Sequence, residues 1–201
     1  MSFFKKLFGR ATPDKVQYVK AMAEMAAESE RTYRGMIETY NSDVKLGLLS
    51  APSRSTVAPT GRGIYKARLF GALFMVMAYV KSTQSDSEAG NMEMMNMATG
   101  AALEPLQGQD EPRLDREEAK SFTMPYLTST FKAMVAAFEA GPFLPGSAQR
   151  EHLALADHLD DALAESIGPE YYTTEVRERF AVIVQGNTAI AMNHAGRWML
   201  A

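Results

Sequence analysis

The chain has 201 residues, of which 46% are hydrophobic and 22% are charged, proportions that are typical of a globular protein and not of a disordered chain. It contains no cysteine and carries a formal net charge of −3, so disulfides, thiolate metal sites and cysteine nucleophiles are excluded. The 14 methionines favour helix, because Met is a good helix former that fills irregular gaps between helices. A cysteine-free chain of this length fits one folded domain in the cytoplasm.

The charge is distributed unevenly along the chain. Residues 1–83 carry thirteen Lys and Arg against six Asp and Glu, whereas residues 84–201 carry eight against eighteen. This split indicates either an anionic partner for the N-terminal half or two halves that attract each other when packed. Because the basic residues are dispersed and the overall charge is acidic, the sequence does not favour nucleic acid as a partner.

Residues 1–10, MSFFKKLFGR, form an amphipathic basic-aromatic segment. On a helix over residues 2–9, the apolar side chains share one arc and the lysines lie opposite, which is typical of a short helix at an anionic membrane surface. The same pattern fits a segment that packs on this domain or on a partner subunit, or one that binds an anionic protein or a nucleic acid. The side chains predicted to contact a membrane or a partner are Phe3, Phe4, Lys5, Lys6, Leu7, Phe8 and Arg10.

Residues 11–201 are predicted to form a single helical domain. Thr12 is expected to cap the first helix, with Pro13 and Asp14 in its first turn, and apolar spacings of three, four and seven continue to about Tyr40. Residues 41–63, rich in Gly, Pro, Ser and Thr, are predicted to be a long loop.

The next helix, over residues 64–82, is apolar on almost every side, which is typical of a helix buried in the middle of a bundle. Its apolar run covers only residues 69–80, whereas a membrane-spanning helix needs about 20 residues. No apolar stretch of the kind found in signal peptides follows the N-terminal charges. We therefore expect no membrane-spanning segment.

Ser85 and Asp86 are predicted to cap a methionine-rich helix. Thioethers are ligands for Cu(I), but no histidine lies nearby, and helical packing explains the methionine spacing better. A further interpretation is that these side chains form an adaptable protein-binding face. The methionines concerned are Met92, Met94, Met95 and Met97.

Three further helices are predicted after an acidic connector over residues 104–118, with one or two helical turns over residues 114–122. Pro125 is expected to open the first of the three, Ser147 to cap the second, and Thr174 to open the third. The apolar stripe predicted for the last helix consists of Val176, Phe180, Ile183, Ile190 and Trp198.

The second of these three helices, which is expected to end at Ile167, carries acids and two histidines. His158 is predicted on its polar face and His152 on its leucine side. A metal site between helices uses Glu-x-x-His motifs, and the chain contains none. We predict no metal and no cofactor. The chain also has no phosphate-binding loop, dinucleotide fingerprint, serine elbow or zinc-binding histidine pair, so no catalytic residue is identified.

Asn187 and His194 are placed on the apolar stripe of the last helix, next to Trp198. Polar groups on such a stripe need hydrogen-bond partners, so the pair either joins two helices or orients a small molecule in a pocket. The sequence as a whole predicts an all-α protein: an irregular bundle of about six main helices preceded by a short amphipathic N-terminal helix.

Two functions remain open at this point. The first is a non-enzymatic interaction or adaptor protein that self-associates or binds a protein partner, peripheral to a membrane through its N-terminus. The alternative is a helical small-molecule-binding protein or enzyme, with its pocket between the last two helices at Asn187, His194 and Trp198.

Overall fold

The computed structural model of the protein describes residues 14–49, 56–83, 88–108, 112–143 and 149–199. Within these ranges the chain is helical and has no strand, which confirms the predicted all-α bundle. The predicted N-terminal helix and the predicted caps Ser85, Asp86 and Ser147 lie outside the described residues. The helices are α1 (Lys15–Lys45), α2 (Gly61–Thr83), α3 (Glu88–Leu103), α4 (Arg116–Glu139), α5 (Arg150–Ile167) and α6 (Thr174–Met199), with a 3-10 turn at Glu104–Leu106.

The central helix is α2, against which each of the other five described helices packs. All of residues 64–78 except Lys66 are buried, as the all-round apolar pattern predicts. By length and composition the stretch Gly61–Ser82 is apolar enough to cross a membrane, with a hydropathy of 1.3, but 83% of its most apolar window is buried inside the protein. Its apolar surface is therefore covered by the surrounding helices.

The approach of α1 to α2 depends on Gly71. A Cβ atom at this position would collide with the backbone carbonyl of Met25 and would lie 2.6 Å from Oγ of Ser29. Because no side chain fits into this space, glycine permits the two helix backbones to approach closely.

The cap of the first helix lies two residues later than predicted. Asp14, not Thr12, is the capping residue: its carboxylate accepts a hydrogen bond from the Gln17 amide at 2.9 Å, and the Gln17 side chain accepts one from the Asp14 amide. This reciprocal arrangement is a capping box, which satisfies two amides that would otherwise lack partners.

The predicted end of α1 near Tyr40 is wrong, since α1 continues to Lys45, and the loop predicted over residues 41–63 is shorter at both ends, since α2 starts at Gly61. The helix is closed by Gly47, whose φ of 69° is left-handed. The amides of Gly47 and Leu48 donate to the carbonyls of Val44 and Asp43, which is a Schellman motif.

A tertiary contact stabilises residues 41–45, the last turn of α1, which the sequence did not predict to be helical. Asp43 is buried there, and its carboxylate accepts hydrogen bonds from Nε and Nη2 of Arg179 on α6, at 2.7 and 3.1 Å. Asn41 fixes the returning chain, because its side-chain amide exchanges two hydrogen bonds with the backbone of Val57. These contacts join residues that lie far apart in sequence, so local sequence patterns did not predict them.

The predicted connector over residues 104–118 ends at Asp115, which caps α4 by accepting a hydrogen bond from the Glu117 amide at 2.6 Å. The turns predicted over residues 114–122 are therefore part of α4. Pro125 does not open a helix, as the sequence predicted, but lies inside α4.

Tertiary packing explains why Pro125 is tolerated. An internal proline costs about 3 kcal/mol because it removes one backbone hydrogen bond and its ring clashes with the carbonyl four residues earlier. Ala119 and Tyr126 are both buried, so packing on either side of the proline favours one continuous helix. Ser121, whose carbonyl loses its helical partner, is exposed and can hydrogen-bond to water instead.

The buried face of α6 differs from the predicted stripe at Ile183 and Ile190, which are both exposed. An uninterrupted row spaced by four residues faces the core instead, and the two isoleucines lie to one side of this row. The row consists of Val176, Phe180, Val184, Thr188 and Met192.

Candidate functional site

A groove of about 380 Å³ lies between α3 and α4, and three of its seven lining residues are methionine. Met92 is 53% exposed and Met124 is 61% exposed, so two large apolar side chains on neighbouring helices remain open to solvent. The residues that line this methionine groove are Asn91, Met92, Met95, Asn96 and Thr99 of α3 and Met124 and Leu127 of α4.

One face of α3 is buried in the bundle and leaves other side chains of the helix free to line the groove. Met94, Ala98 and Ala102 recur every four residues and are fully buried, so this row faces the core. Met92 and Met95 lie on other sides of the same helix and do not take part in that row. They extend towards α4, where Met124 closes the groove.

Sequence reasoning identified the α3 methionines as a candidate protein-binding face but did not identify the opposite wall. Met124 precedes Pro125, which was predicted to open a helix, so Met124 was not assigned to any helical face. Only the continuous α4 brings Met124 and Leu127 next to Met92 and Met95.

A second groove, of about 370 Å³, contains Asn187 and His194. The structure places both residues against α1, and not between the last two helices. The remaining lining residues are Glu24, Met25, Glu28, Ser29, Arg31, Ile190 and Ala191.

Both predicted polar residues have hydrogen-bond partners. Nδ2 of Asn187 donates to Oγ1 of Thr32 at 2.8 Å, and the indole N–H of Trp198 donates to Nε2 of His194 at 3.1 Å. The Trp198 ring also packs against Tyr18 of α1, with ring centroids 5.0 Å apart. Oδ1 of Asn187 is buried and accepts no hydrogen bond from the described residues, so one acceptor in this groove lacks a partner.

The two histidines of α5 take different positions. His152 is fully buried, as predicted, where Nε2 lies 3.2 Å from the Ala137 carbonyl and 3.1 Å from the Gly141 carbonyl. Its ring stacks on Phe143, with centroids 4.6 Å apart. This histidine therefore joins α5 to the end of α4.

His158 belongs to a polar cluster between α2, α4 and α5. Oη of Tyr126 donates to the carbonyls of His158 and Lys66, at 2.9 and 3.2 Å, and Nδ1 of His158 lies 3.2 Å from Oγ1 of Thr130. Burial lowers the pKa of His158, against the opposing effect of Asp161. The cluster joins three helices, and its half-buried histidine favours the neutral form.

No group of three or more His, Asp or Glu side chains in the described ranges is placed to hold a metal ion. The predicted contact residues Phe3, Phe4, Lys5, Lys6, Leu7, Phe8 and Arg10 lie outside those ranges. Comparison with protein-family models, with curated proteins and with solved structures finds no match for this chain.

Proposed function

We propose that this chain is a non-enzymatic helical interaction protein, and that its methionine groove binds an amphipathic helix of a protein partner. The observation that carries this proposal is the exposure of Met92 and Met124, at 53% and 61%, along a groove of about 380 Å³. Contiguous apolar surface left in water is typical of a protein–protein contact. Occupation of the groove by a partner helix would remove this surface from water.

The chemistry of the groove favours a helix with aliphatic and aromatic anchors. Methionine is unbranched and polarizable, so its side chain adapts to differently shaped apolar partners and contacts aromatic rings favourably. Helices that bind in apolar grooves present such anchors at spacings of three, four and seven residues. A groove of this volume suits a few anchor side chains.

The proposal can be tested by titrating the full chain, with ¹³C-labelled methionine methyl groups, with a designed amphipathic peptide that carries Leu and Phe at helical spacing. We expect the resonances of Met92, Met95 and Met124 to shift, while those of buried methionines such as Met36 and Met75 stay unchanged. A scrambled peptide of the same composition is the control for non-specific apolar contact.

A pair of charge variants adds the matched control. Met92→Lys combined with Met124→Lys should weaken binding of the designed peptide at least tenfold, which corresponds to about 1.4 kcal/mol. Val182→Lys on α6, where Val182 is 80% exposed and lines neither groove, should leave binding unchanged. Absence of any shift in the groove methionines would remove the basis for the proposal.

The groove between α1 and α6 supports a second candidate function, the binding of a small molecule that donates a hydrogen bond to Oδ1 of Asn187. The buried, unpartnered state of this oxygen among the described residues favours this candidate. Mass spectrometry of the purified protein under native conditions tests it: a bound compound that disappears in Asn187→Ala supports the idea, and an unliganded mass for both proteins contradicts it.

A further inference from the structure

We propose that residues 2–9 of this chain occupy the methionine groove of the same molecule, so that a partner helix must displace them. This inference rests on the proposed function and states how binding of a partner to the same groove is regulated. Three features support it: the place where the described chain begins, the length of the preceding segment, and its chemical match to the groove.

The described chain begins next to the groove. The Lys15 ammonium, in the first turn of α1, forms an ion pair with the Glu93 carboxylate of α3. Glu93 directly precedes Met94 and follows Met92, which lines the groove. The preceding segment is therefore attached to the body of the protein at the helix that forms one wall of the groove.

The remaining distance is within reach of the chain. Met92, which lines the groove, lies about 100° around α3 from Glu93, since each residue turns a helix by about 100°. A helix with its side chains is about 10–12 Å wide, so this arc on its surface is about 10 Å long. Residues 10–13 span up to about 13 Å when extended and are thus long enough to reach the groove from the flank of Glu93.

The length of the segment also matches the groove. A helix over residues 2–9 would be about 12 Å long, and the wall from Asn91 to Thr99 on α3 covers eight helical rises, which is also about 12 Å.

The side chains of the segment are complementary to the groove. Phe3, Phe4, Leu7 and Phe8 would form one apolar arc, with the i, i+3 and i+4 spacings that helix-binding grooves accept. The lysines between them would face solvent. Residues 88–139, which include both walls, carry nine Asp and Glu against four Lys and Arg, so the field around the groove attracts a basic segment.

Tethering makes even weak docking effective. A short linker gives an effective concentration on the order of 1 mM. A segment with a dissociation constant of about 0.1 mM for the groove would then be docked about 90% of the time. Binding to a membrane surface does not gain from this effective concentration, because the membrane is not linked to the chain. An eight-residue segment by itself anchors only weakly in lipid.

The absence of native cysteine allows a direct disulfide test in the full chain. Leu7→Cys is combined with Met124→Cys on the far wall of the groove. The control is Leu7→Cys with Lys20→Cys. Lys20 is an exposed position on α1 that the linking residues 10–13 also allow Leu7 to reach. A docked segment should form the Met124 disulfide within one molecule at least tenfold faster than the Lys20 disulfide, and Phe4→Asp with Phe8→Asp should abolish this preference.

Any one of three results would overturn the inference. Equal rates for the two pairs would indicate a segment that does not dock, and a faster disulfide that joins two molecules would indicate that a second copy is the occupant. Co-sedimentation of the wild-type chain with phosphatidylserine vesicles, without the Met124 preference, would identify a membrane as the target and would likewise overturn it.

Binding of the designed peptide separates this inference from the proposed function. If residues 2–9 compete for the groove, the full chain with Phe4→Asp and Phe8→Asp should bind the peptide about tenfold more tightly than the wild type. Equal binding to both chains contradicts the inference and leaves the proposed function standing. No binding to either chain contradicts the proposed function itself.

Discussion

Nη1 of Arg68 donates to Oε2 of Glu30 at 2.6 Å, an ion pair that joins the central helix α2 to α1. Arg68 is only 8% exposed, and its Nη2 donates to the Ala101 carbonyl of α3 at 2.9 Å. Glu30 also accepts from Nε of Arg34 at 2.7 Å. One guanidinium therefore holds three helices together at a point where the central helix is otherwise apolar.

We expect Arg68→Met to lower the free energy of unfolding by about 3 kcal/mol, because removing one partner of a buried ion pair leaves the other groups unpaired. The matched control is Arg34→Met, whose side chain is 41% exposed and whose loss should change stability by less than about 1 kcal/mol. Urea denaturation of the three proteins measures the difference. Equal losses for the two variants would contradict the assignment of Arg68 as the buried connection.

The pH dependence of stability should reveal the buried carboxyl of Asp160. Burial raises its pKa to about 6, although Tyr172 donates a hydrogen bond to it at 2.8 Å. The native state then binds a proton more tightly than the unfolded state, so this group lowers stability as the pH rises from about 4 to about 6.

Asp160→Asn keeps an acceptor for Tyr172 and removes the buried charge. We expect the variant to be about 1–3 kcal/mol more stable than the wild type at pH 7.5, with the difference vanishing below about pH 4. Asp157→Asn, at a side chain that is 54% exposed, is the control and should have little effect at either pH. Urea denaturation at pH 4, 6 and 7.5 tests the prediction, and a difference that grows towards low pH would contradict it.

Two glycines in helices should respond oppositely to alanine. Gly71→Ala places a methyl group against the α1 backbone, so we expect a loss of about 1–3 kcal/mol from overpacking. Gly100→Ala in α3 meets no atom within 4 Å, so it should gain about 0.5–1 kcal/mol from helix propensity. Thermal unfolding followed by circular dichroism measures both. A stabilising Gly71→Ala would mean that α1 and α2 are farther apart than described.

The hydrogen bond between Asn187 and Thr32 should appear as thermodynamic coupling. Asn187→Ala and Thr32→Ala should each lower the free energy of unfolding by about 1 kcal/mol, and the double variant should lose less than the sum. A double-mutant cycle in urea measures the coupling. Strict additivity would show that the two side chains act independently, which would leave Asn187 available to a ligand.

Much of the fold was predictable because it follows from local patterns. The all-round apolar character of residues 64–82 predicted the central position of α2, and α5 ends at Ile167 as predicted, where Gly168 follows with a φ of 94°. The leucine side of α5 correctly placed His152 in the core. Each of these predictions depends on the spacing of apolar residues or on the conformational preference of one residue type.

The candidate site was less predictable, because each of its walls depends on contacts distant in sequence. Burial of Ala119 and Tyr126 maintains α4 through Pro125, and only this continuity brings Met124 next to Met92. In the same way, Arg179 extends α1 by pairing with Asp43, and Thr32 brings Asn187 to α1 and not to α5.

Apolar periodicity alone therefore establishes that this chain is a helical bundle, since burying an apolar stripe needs only the right residues at the right spacing. The positions of the grooves follow from which helices become neighbours. That choice is made by ion pairs, hydrogen bonds and close glycine contacts between distant residues, whose free energy is realised only when the whole bundle has packed.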